Sequence, residues 1–273
     1  MRLSGWIGAV IVAIVAFFAL LSLVWTPYDA THAIPADRLQ GPTLSHVLGT
    51  DQFGRDIFSR ILEGSAITLA VCVVGVGISA LIGVPLGIVA GMRRGWTESI
   101  IMRGNDLLLA FPALLLAIVF TAVFGASTGI VMLAIGIAGI PGFARVARAG
   151  TLRVMTQDYI LAARISKVPG PVIAWRHVLP NIAGVIIVQV SVSFALAILA
   201  EAGLSFLGLG TPAPYASWGR MLQASQGFLA SAPHLAIFPG IAIAATVLGF
   251  NLLGDGLRDA LDPTTRRKAR TSA

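Results

Sequence analysis

Charged side chains are scarce in this sequence: Asp, Glu, Lys and Arg make up 11% of the 273 residues, whereas hydrophobic residues make up 56%. A water-soluble globule leaves many residues facing water, and about 25% of its residues are charged. The composition therefore disfavours a soluble enzyme, a disordered chain and a nucleic-acid-binding domain. A polytopic membrane protein fits it best.

Residue types that carry common chemistry are also scarce. Cys72 is the only cysteine, so the chain forms no internal disulfide and no multi-cysteine metal site. The only lysines, Lys167 and Lys268, do not follow a glycine, which excludes an ATP-binding Walker A loop. The four histidines lie in different segments, and no Gly-x-Ser-x-Gly motif occurs. We therefore expect no catalytic residue, no metal and no cofactor in this chain.

Apolar runs predict an all-α protein with six transmembrane helices. A helix needs about 20 apolar residues to cross the hydrocarbon core, and these runs lack the alternation of barrel strands. Glu201 and Asp106 lie at the ends of two runs, where we expect the membrane interfaces. The predicted spans are residues 6–25, 66–90, 107–124, 126–144, 181–200 and 235–254.

The distribution of basic residues predicts that both termini are cytoplasmic. With the N-terminus inside, the inside segments hold 15 of the 19 Lys and Arg residues. The chain then divides into three parts. These are a first helix with an extracytoplasmic segment (1–63), a five-helix core with a cytoplasmic loop at 145–180 (64–254), and a basic tail (255–273).

The cytoplasmic loop 145–180 is predicted to contain a short helix that a rigid turn keeps away from the membrane. Asp158 is placed to cap a helix that starts at Tyr159, and the Pro-Gly-Pro sequence at 169–171 must end it. Arg164 and Lys167 are three residues apart and are predicted to share a helix face. The loop is too small for a catalytic domain. It is either a docking element or a solvated basic surface.

Residues 161–181 resemble, without gaps, the EAA loop of binding-protein-dependent ABC importer permeases. Two positions depart from the family pattern: Leu161 stands where the family has glutamate, and Lys167 where it has glycine. The resemblance implies that this loop couples the chain to ATPases. The implied coupling residues are Tyr159, Leu161, Ala162, Ala163, Arg164, Lys167, Gly170, His177, Leu179 and Pro180.

Two further stretches resemble signatures of the peptide/nickel branch of this family. The first suggests a turn-rich segment braced by Asp–Arg pairs, which either only folds the outer loop or contacts the peptide or its binding protein. Its residues are Gly49, Thr50, Asp51, Gly54, Arg55, Asp56 and Arg60.

The second signature contains a glycine-rich run at 203–210. The sequence pattern does not decide whether this run lies at the membrane interface, forms a re-entrant segment or packs against other helices. The residues that carry this resemblance are Glu201, Gly203, Leu204, Ser205, Phe206, Gly208, Gly210, Trp218 and Gly219.

The resemblance implies the type I ABC importer permease fold of a C-type subunit in a bacterial plasma membrane. It implies a homologous permease, an extracytoplasmic binding protein, and one or two cytoplasmic ATPases that bind ATP and magnesium. Dipeptides or oligopeptides are the expected substrates, with nickel chelates, glutathione-like compounds and sugars as alternatives. Two other classes stay open. A stand-alone carrier or channel would transport without ATP, and a membrane-embedded enzyme would turn over a substrate alone.

Overall fold

The computed structural model describes residues 3–261, and this part of the chain is helical without a β-strand. The predicted all-α class is therefore confirmed. A π-helical turn, Ala174–Val178, joins α7 to α8. The α-helices are α1 (Leu3–Ser22), α2 (Ile57–Met92), α3 (Trp96–Ala110), α4 (Ala113–Phe124), α5 (Thr128–Val154), α6 (Asp158–Ile165), α7 (Gly170–Ile173), α8 (Leu179–Phe206), α9 (Trp218–Ser225) and α10 (His234–Leu261).

Five helical stretches within residues 3–261 are long and apolar enough to cross a membrane, and α3 with α4 makes a sixth if that pair forms one bent span. The five are α1, α2, α5, Gly170–Phe206 and α10. Five of the six predicted spans thus coincide with a long apolar helix.

The predicted third span, 107–124, is not one continuous helix. The chain breaks after Ala110, and α3 and α4 are bent by 81° relative to each other. Pro112 explains the break, because its ring disfavours helical geometry at the preceding residue, and Phe111 is extended (φ −91°, ψ 127°). Residues 107–110 belong to α3, and the 12 residues of α4 extend only about 18 Å.

Several helices extend beyond the predicted spans. Helix α2 begins at Ile57, inside the predicted extracytoplasmic segment, and α5 continues to Val154, well into the predicted loop 145–180. The predicted basic tail is described only to Leu261, where it forms the end of α10. Residues 262–273 of that tail lie outside the described residues.

Close packing of α2 against α5 forms the centre of the bundle. Gly83, Gly87 and Gly91 recur every four residues on the α2 face that meets α5. A Cβ atom on Gly87 would lie 2.7 Å from the Cβ of Ala147, and one on Gly83 would lie 2.6 Å from the carbonyl oxygen of Ile140. Small residues on such a face let two membrane helices approach closely. Close van der Waals packing is needed there, because lipid provides no hydrophobic force that drives the helices together.

Candidate functional site

The short helix α6 is held against the bundle by its first turn. Ile160 is fully buried, and the ring of Tyr159 lies 6.1 Å from the ring of His177 in the π turn. The predicted cap at Asp158 was wrong: Gln157 precedes the helix, and Asp158 is its first residue. An acidic residue in the first turn still favours the helix, because it faces the positive end of the dipole.

The end of α6 is a left-handed turn at Lys167, a geometry that favours glycine. Lys167 has a left-handed backbone (φ 57°). Its amide donates to the carbonyl of Arg164 (2.9 Å), and the amide of Val168 donates to the carbonyl of Ala163 (3.0 Å). This pair of bonds is the Schellman motif, whose left-handed position usually holds glycine. The predicted shared face of Arg164 and Lys167 was wrong, because Lys167 lies past the helix end.

The outward face of α6 carries an apolar strip with one cation. Leu161 is 50% exposed and Ile165 is 82% exposed, and they are four residues apart on one face of the helix. Arg164 and Ala162 are also exposed, whereas Ala163 is half-buried. Our sequence analysis missed Ile165, although its spacing from Leu161 is a usable signal. An exposed apolar strip on a short helix is typical of a docking surface.

The π turn ends two residues before Pro180, in the continuous helical stretch Gly170–Phe206. Proline lacks an amide hydrogen and its ring clashes with the carbonyl four residues back, so a wider turn relieves the helix at this point. The side-chain amide of Asn181 donates to the carbonyl of His177 (2.7 Å). Leu179 is half-buried. Gly170 has open space around its α-carbon, so no contact there requires a glycine.

The first signature stretch folds into a tight turn around the buried Asp51. One carboxylate oxygen accepts from the amides of Phe53 (2.8 Å) and Arg55 (3.0 Å). The other accepts from Nε of Arg55 (2.7 Å) and lies 3.5 Å from Nε of Arg60. The predicted bracing by Asp–Arg pairs is confirmed.

A second carboxylate, Asp56, caps α2. It accepts from the amide and the hydroxyl of Ser59, both at 2.8 Å. Its other oxygen lies 2.9 Å from Nδ1 of His46, a partner that our sequence analysis missed. The fully buried Thr50 donates its hydroxyl to the carbonyl of Asp37.

Two glycines of this signature have left-handed backbones. Gly49 has φ 82° and Gly54 has φ 78°. A Cβ on Gly49 would lie 2.5 Å from the carbonyl oxygen of Gln40, and one on Gly54 would collide with the carbonyl of Ile34. Together with the internal partners of the two carboxylates, this favours the interpretation that the signature folds the segment between α1 and α2.

The second signature stretch surrounds a buried carboxyl group. Glu201 is 1% exposed and accepts from the hydroxyls of Ser205 (2.7 Å) and of Thr68 on α2 (3.3 Å). The predicted position of Glu201 at a membrane interface stays a prediction. Helix α8 continues beyond it to Phe206, and neighbouring helices cover it.

The glycine-rich run ends α8 and packs against it. Gly208 has φ 81°, its amide donates to the carbonyl of Ser205 (3.0 Å), and the amide of Leu209 donates to the carbonyl of Leu204 (2.9 Å). This is the same Schellman motif as at the end of α6. A Cβ on Gly210 would collide with Ser205.

Trp218 fastens α9 to α2 and α8. The Trp218 side chain is 2% exposed, and its Nε1 donates to the carbonyl of Ile61 (3.1 Å). A Cβ on Gly64 would lie 2.9 Å from the indole, and one on Gly219 would lie 2.7 Å from Cα of Ala202. The packing interpretation of this signature is the one that these contacts support.

Two members of the signature are less enclosed. Phe206, the last residue of α8, is 40% exposed. A Cβ on Gly203 would meet only Leu114, at 3.8 Å.

Comparisons with known proteins agree with this architecture. Residues 83–267, more than half of the chain, match the family described as "Binding-protein-dependent transport system inner membrane component". The glutathione transport system permease protein GsiD of Pectobacterium atrosepticum is 48% identical over 238 residues, which cover 87% of this chain and 79% of that protein.

Two further relatives align over most of their length. The dipeptide transport system permease protein DppC of Alkalihalophilus pseudofirmus is 41% identical over 257 residues, 94% of this chain and 84% of that protein. GsiD of Escherichia coli O6:K15:H31 is 44% identical over 265 residues, 96% of this chain and 86% of that protein. The chain belongs to the binding-protein-dependent transport system inner membrane components.

Proposed function

We propose that this chain is one permease subunit of an ATP-driven peptide importer in a bacterial inner membrane, with both termini in the cytoplasm. It forms half of a translocation path together with a homologous permease chain. An extracytoplasmic binding protein delivers the substrate to the outer face. The names of the relatives and the excess of basic residues in the segments assigned to the inside support this proposal.

The exposed strip of Leu161 and Ile165 is the observation that carries the proposal. One or two cytoplasmic ATPases dock there, with Arg164 beside the strip as a charged contact. ATP and magnesium bind to those ATPases, and this chain performs no covalent chemistry. A strip of this kind on a solvent-exposed helix is costly unless a partner covers it.

A short connecting segment transmits movement of α6 to the membrane helices. Residues 166–169 connect α6 to the continuous stretch Gly170–Phe206, which includes α8. When the ATPases close on ATP, α6 moves with them and tilts α8, so the bundle alternates between inward-open and outward-open states.

Dipeptides or oligopeptides are the proposed substrates. Glutathione is the second candidate, because two of the relatives described above are named for its transport. Both are peptide-like molecules that a tolerant, weakly charged path can pass. Selectivity then resides in the binding protein.

The test is co-purification of ATPases from cells that co-express this chain with its operon neighbours. Ile165→Asp and Leu161→Asp place a charge on the docking strip, and we expect each to reduce the ATPase recovered about tenfold or more. Leu44→Asp is the matched control, because Leu44 is fully exposed in the outer segment. Equal ATPase recovery with all three variants would contradict the proposal.

A further inference from the structure

An apolar cleft separates the end of α2 from the turn that leads into α8. Its volume is about 720 Å³, within the range of small-molecule sites. One wall is the last turns of α2 and the other is formed by α7, the π turn and the start of α8. The main wall residues are Val84, Ile88, Met92, Ile173, Trp175 and Leu179.

The charged residues of the cleft are all basic. Arg93, which follows the last residue of α2, and Arg164 of α6 line it, and both are exposed. Within the described part of the chain, no acidic residue lines the cleft. A ligand that fits must therefore offer an anionic group beside an apolar body.

The dimensions of the cleft favour an acyl chain as that apolar body. The cleft follows α2 from Val84 to Arg93, about 14 Å at 1.5 Å per residue. Trp175, which is 74% exposed, lies along the opposite wall. Tryptophan is enriched at the level of lipid headgroups, where its ring is half in contact with apolar chains.

We propose that this cleft binds one anionic membrane phospholipid, with an acyl chain between α2 and the π turn and its phosphate at Arg93 and Arg164. The proposal goes beyond peptide import and does not depend on it. Leu161 and Ile165 do not line the cleft, so the apolar docking strip and the cleft are separate surfaces, and Arg164 lies at the border that they share. A lipid seated there touches the π turn through which α6 connects to α8.

The test uses the full chain in nanodiscs of phosphatidylcholine that contain increasing amounts of brominated phosphatidylglycerol. Bromine quenches nearby tryptophan, and the difference from a Trp175→Phe variant isolates the signal of Trp175. We expect half-quenching at a lower mole fraction of brominated phosphatidylglycerol than of brominated phosphatidylcholine. Equal quenching by the two lipids would overturn the proposal.

Neighbouring arginines provide a matched pair of variants. Arg93→Gln should raise the half-quenching fraction about fivefold, the equivalent of about 1 kcal/mol per basic residue at a membrane surface. Arg94→Gln removes an adjacent exposed charge that does not line the cleft, and it should change nothing. The same response from both variants would mean nonspecific surface attraction and would overturn the proposal.

Two further measurements separate the remaining occupants. Val89→Phe fills the cleft at a partly exposed wall position and keeps both arginines, and it should abolish the preference for the anionic lipid. Relief of quenching by inorganic phosphate would assign the site to a soluble anion instead. Loss of quenching when a partner permease is co-expressed would assign the cleft to that protein. Either result would overturn the proposal, and unchanged size-exclusion elution shows that each variant folds.

Discussion

Replacing Lys167 by glycine should stabilise the end of α6, although it removes a charge and all side-chain contacts. Lys167 has φ 57°, a left-handed conformation that costs an L-residue about 1–2 kcal/mol. Glycine avoids this cost. Gly208 occupies the same position in the Schellman motif that ends α8, so the chain itself uses glycine for this geometry.

The expected gain is smaller than the conformational cost alone. Glycine loses more backbone entropy on ordering, about 0.5–1 kcal/mol, and Lys167 near the negative end of α6 contributes a few tenths more. About 0.5 kcal/mol remains in favour of Lys167→Gly. This corresponds to roughly twofold slower local opening of the last turn of α6.

Hydrogen exchange of the peptide that covers 158–168 measures this opening. The matched control is Ser166→Gly, one residue earlier, where the backbone is right-handed (φ −72°) and glycine brings only its entropic cost. Exchange should therefore slow in Lys167→Gly and accelerate in Ser166→Gly. Acceleration in both variants would refute the assignment of the left-handed turn.

Three other predictions concern thermal stability in detergent. Gly87→Ala should destabilise the chain by about 1–3 kcal/mol, because the added Cβ collides with α5. Gly77→Ala on the same helix is the control: its Cβ meets open space, so it should be neutral or stabilising. Equal effects of the two variants would contradict the close packing of α2 against α5. Asp51→Asn should cost about 3 kcal/mol because it leaves Arg55 without its carboxylate partner, and wild-type stability would show that the pair contributes nothing. Glu201→Gln keeps one oxygen acceptor, and the hydroxyl that meets the new NH2 group can rotate to accept from it, so this variant should cost less than about 1 kcal/mol. Glu201→Ala removes the acceptor of both hydroxyls and should cost about 2–4 kcal/mol; the reverse order would refute the buried hydroxyl network.

The all-α class and five of the long apolar helices could be predicted because they depend on local hydrophobic runs. The Asp51–Arg55 pair was also predictable, since its partners are four residues apart. The break at Pro112 had a sequence signal in proline itself, but a proline such as Pro85 lies inside an unbroken helix. Only the packing around each proline decides between these outcomes.

Other features depend on contacts between distant parts of the chain. Glu201 is buried beside Thr68 of α2, which lies 133 residues away in the sequence. The cleft beside Arg93 forms where the end of α2 meets the π turn, and no sequence window contains both. Ile165 became a candidate only when its exposure was seen, since an isoleucine in an amphipathic pattern is equally suited to a core.

The most direct test of the proposed coupling is a crosslink from α6. Cys72 is the only cysteine and is fully buried, so Ile165→Cys provides one accessible thiol for a photoreactive maleimide. In membranes that contain the co-expressed operon neighbours, we expect mass spectrometry to identify a P-loop ATPase crosslinked to this position and not to Leu44→Cys. An Ile165→Cys chain that transports substrate with no ATPase crosslinked would contradict the account and favour a stand-alone carrier.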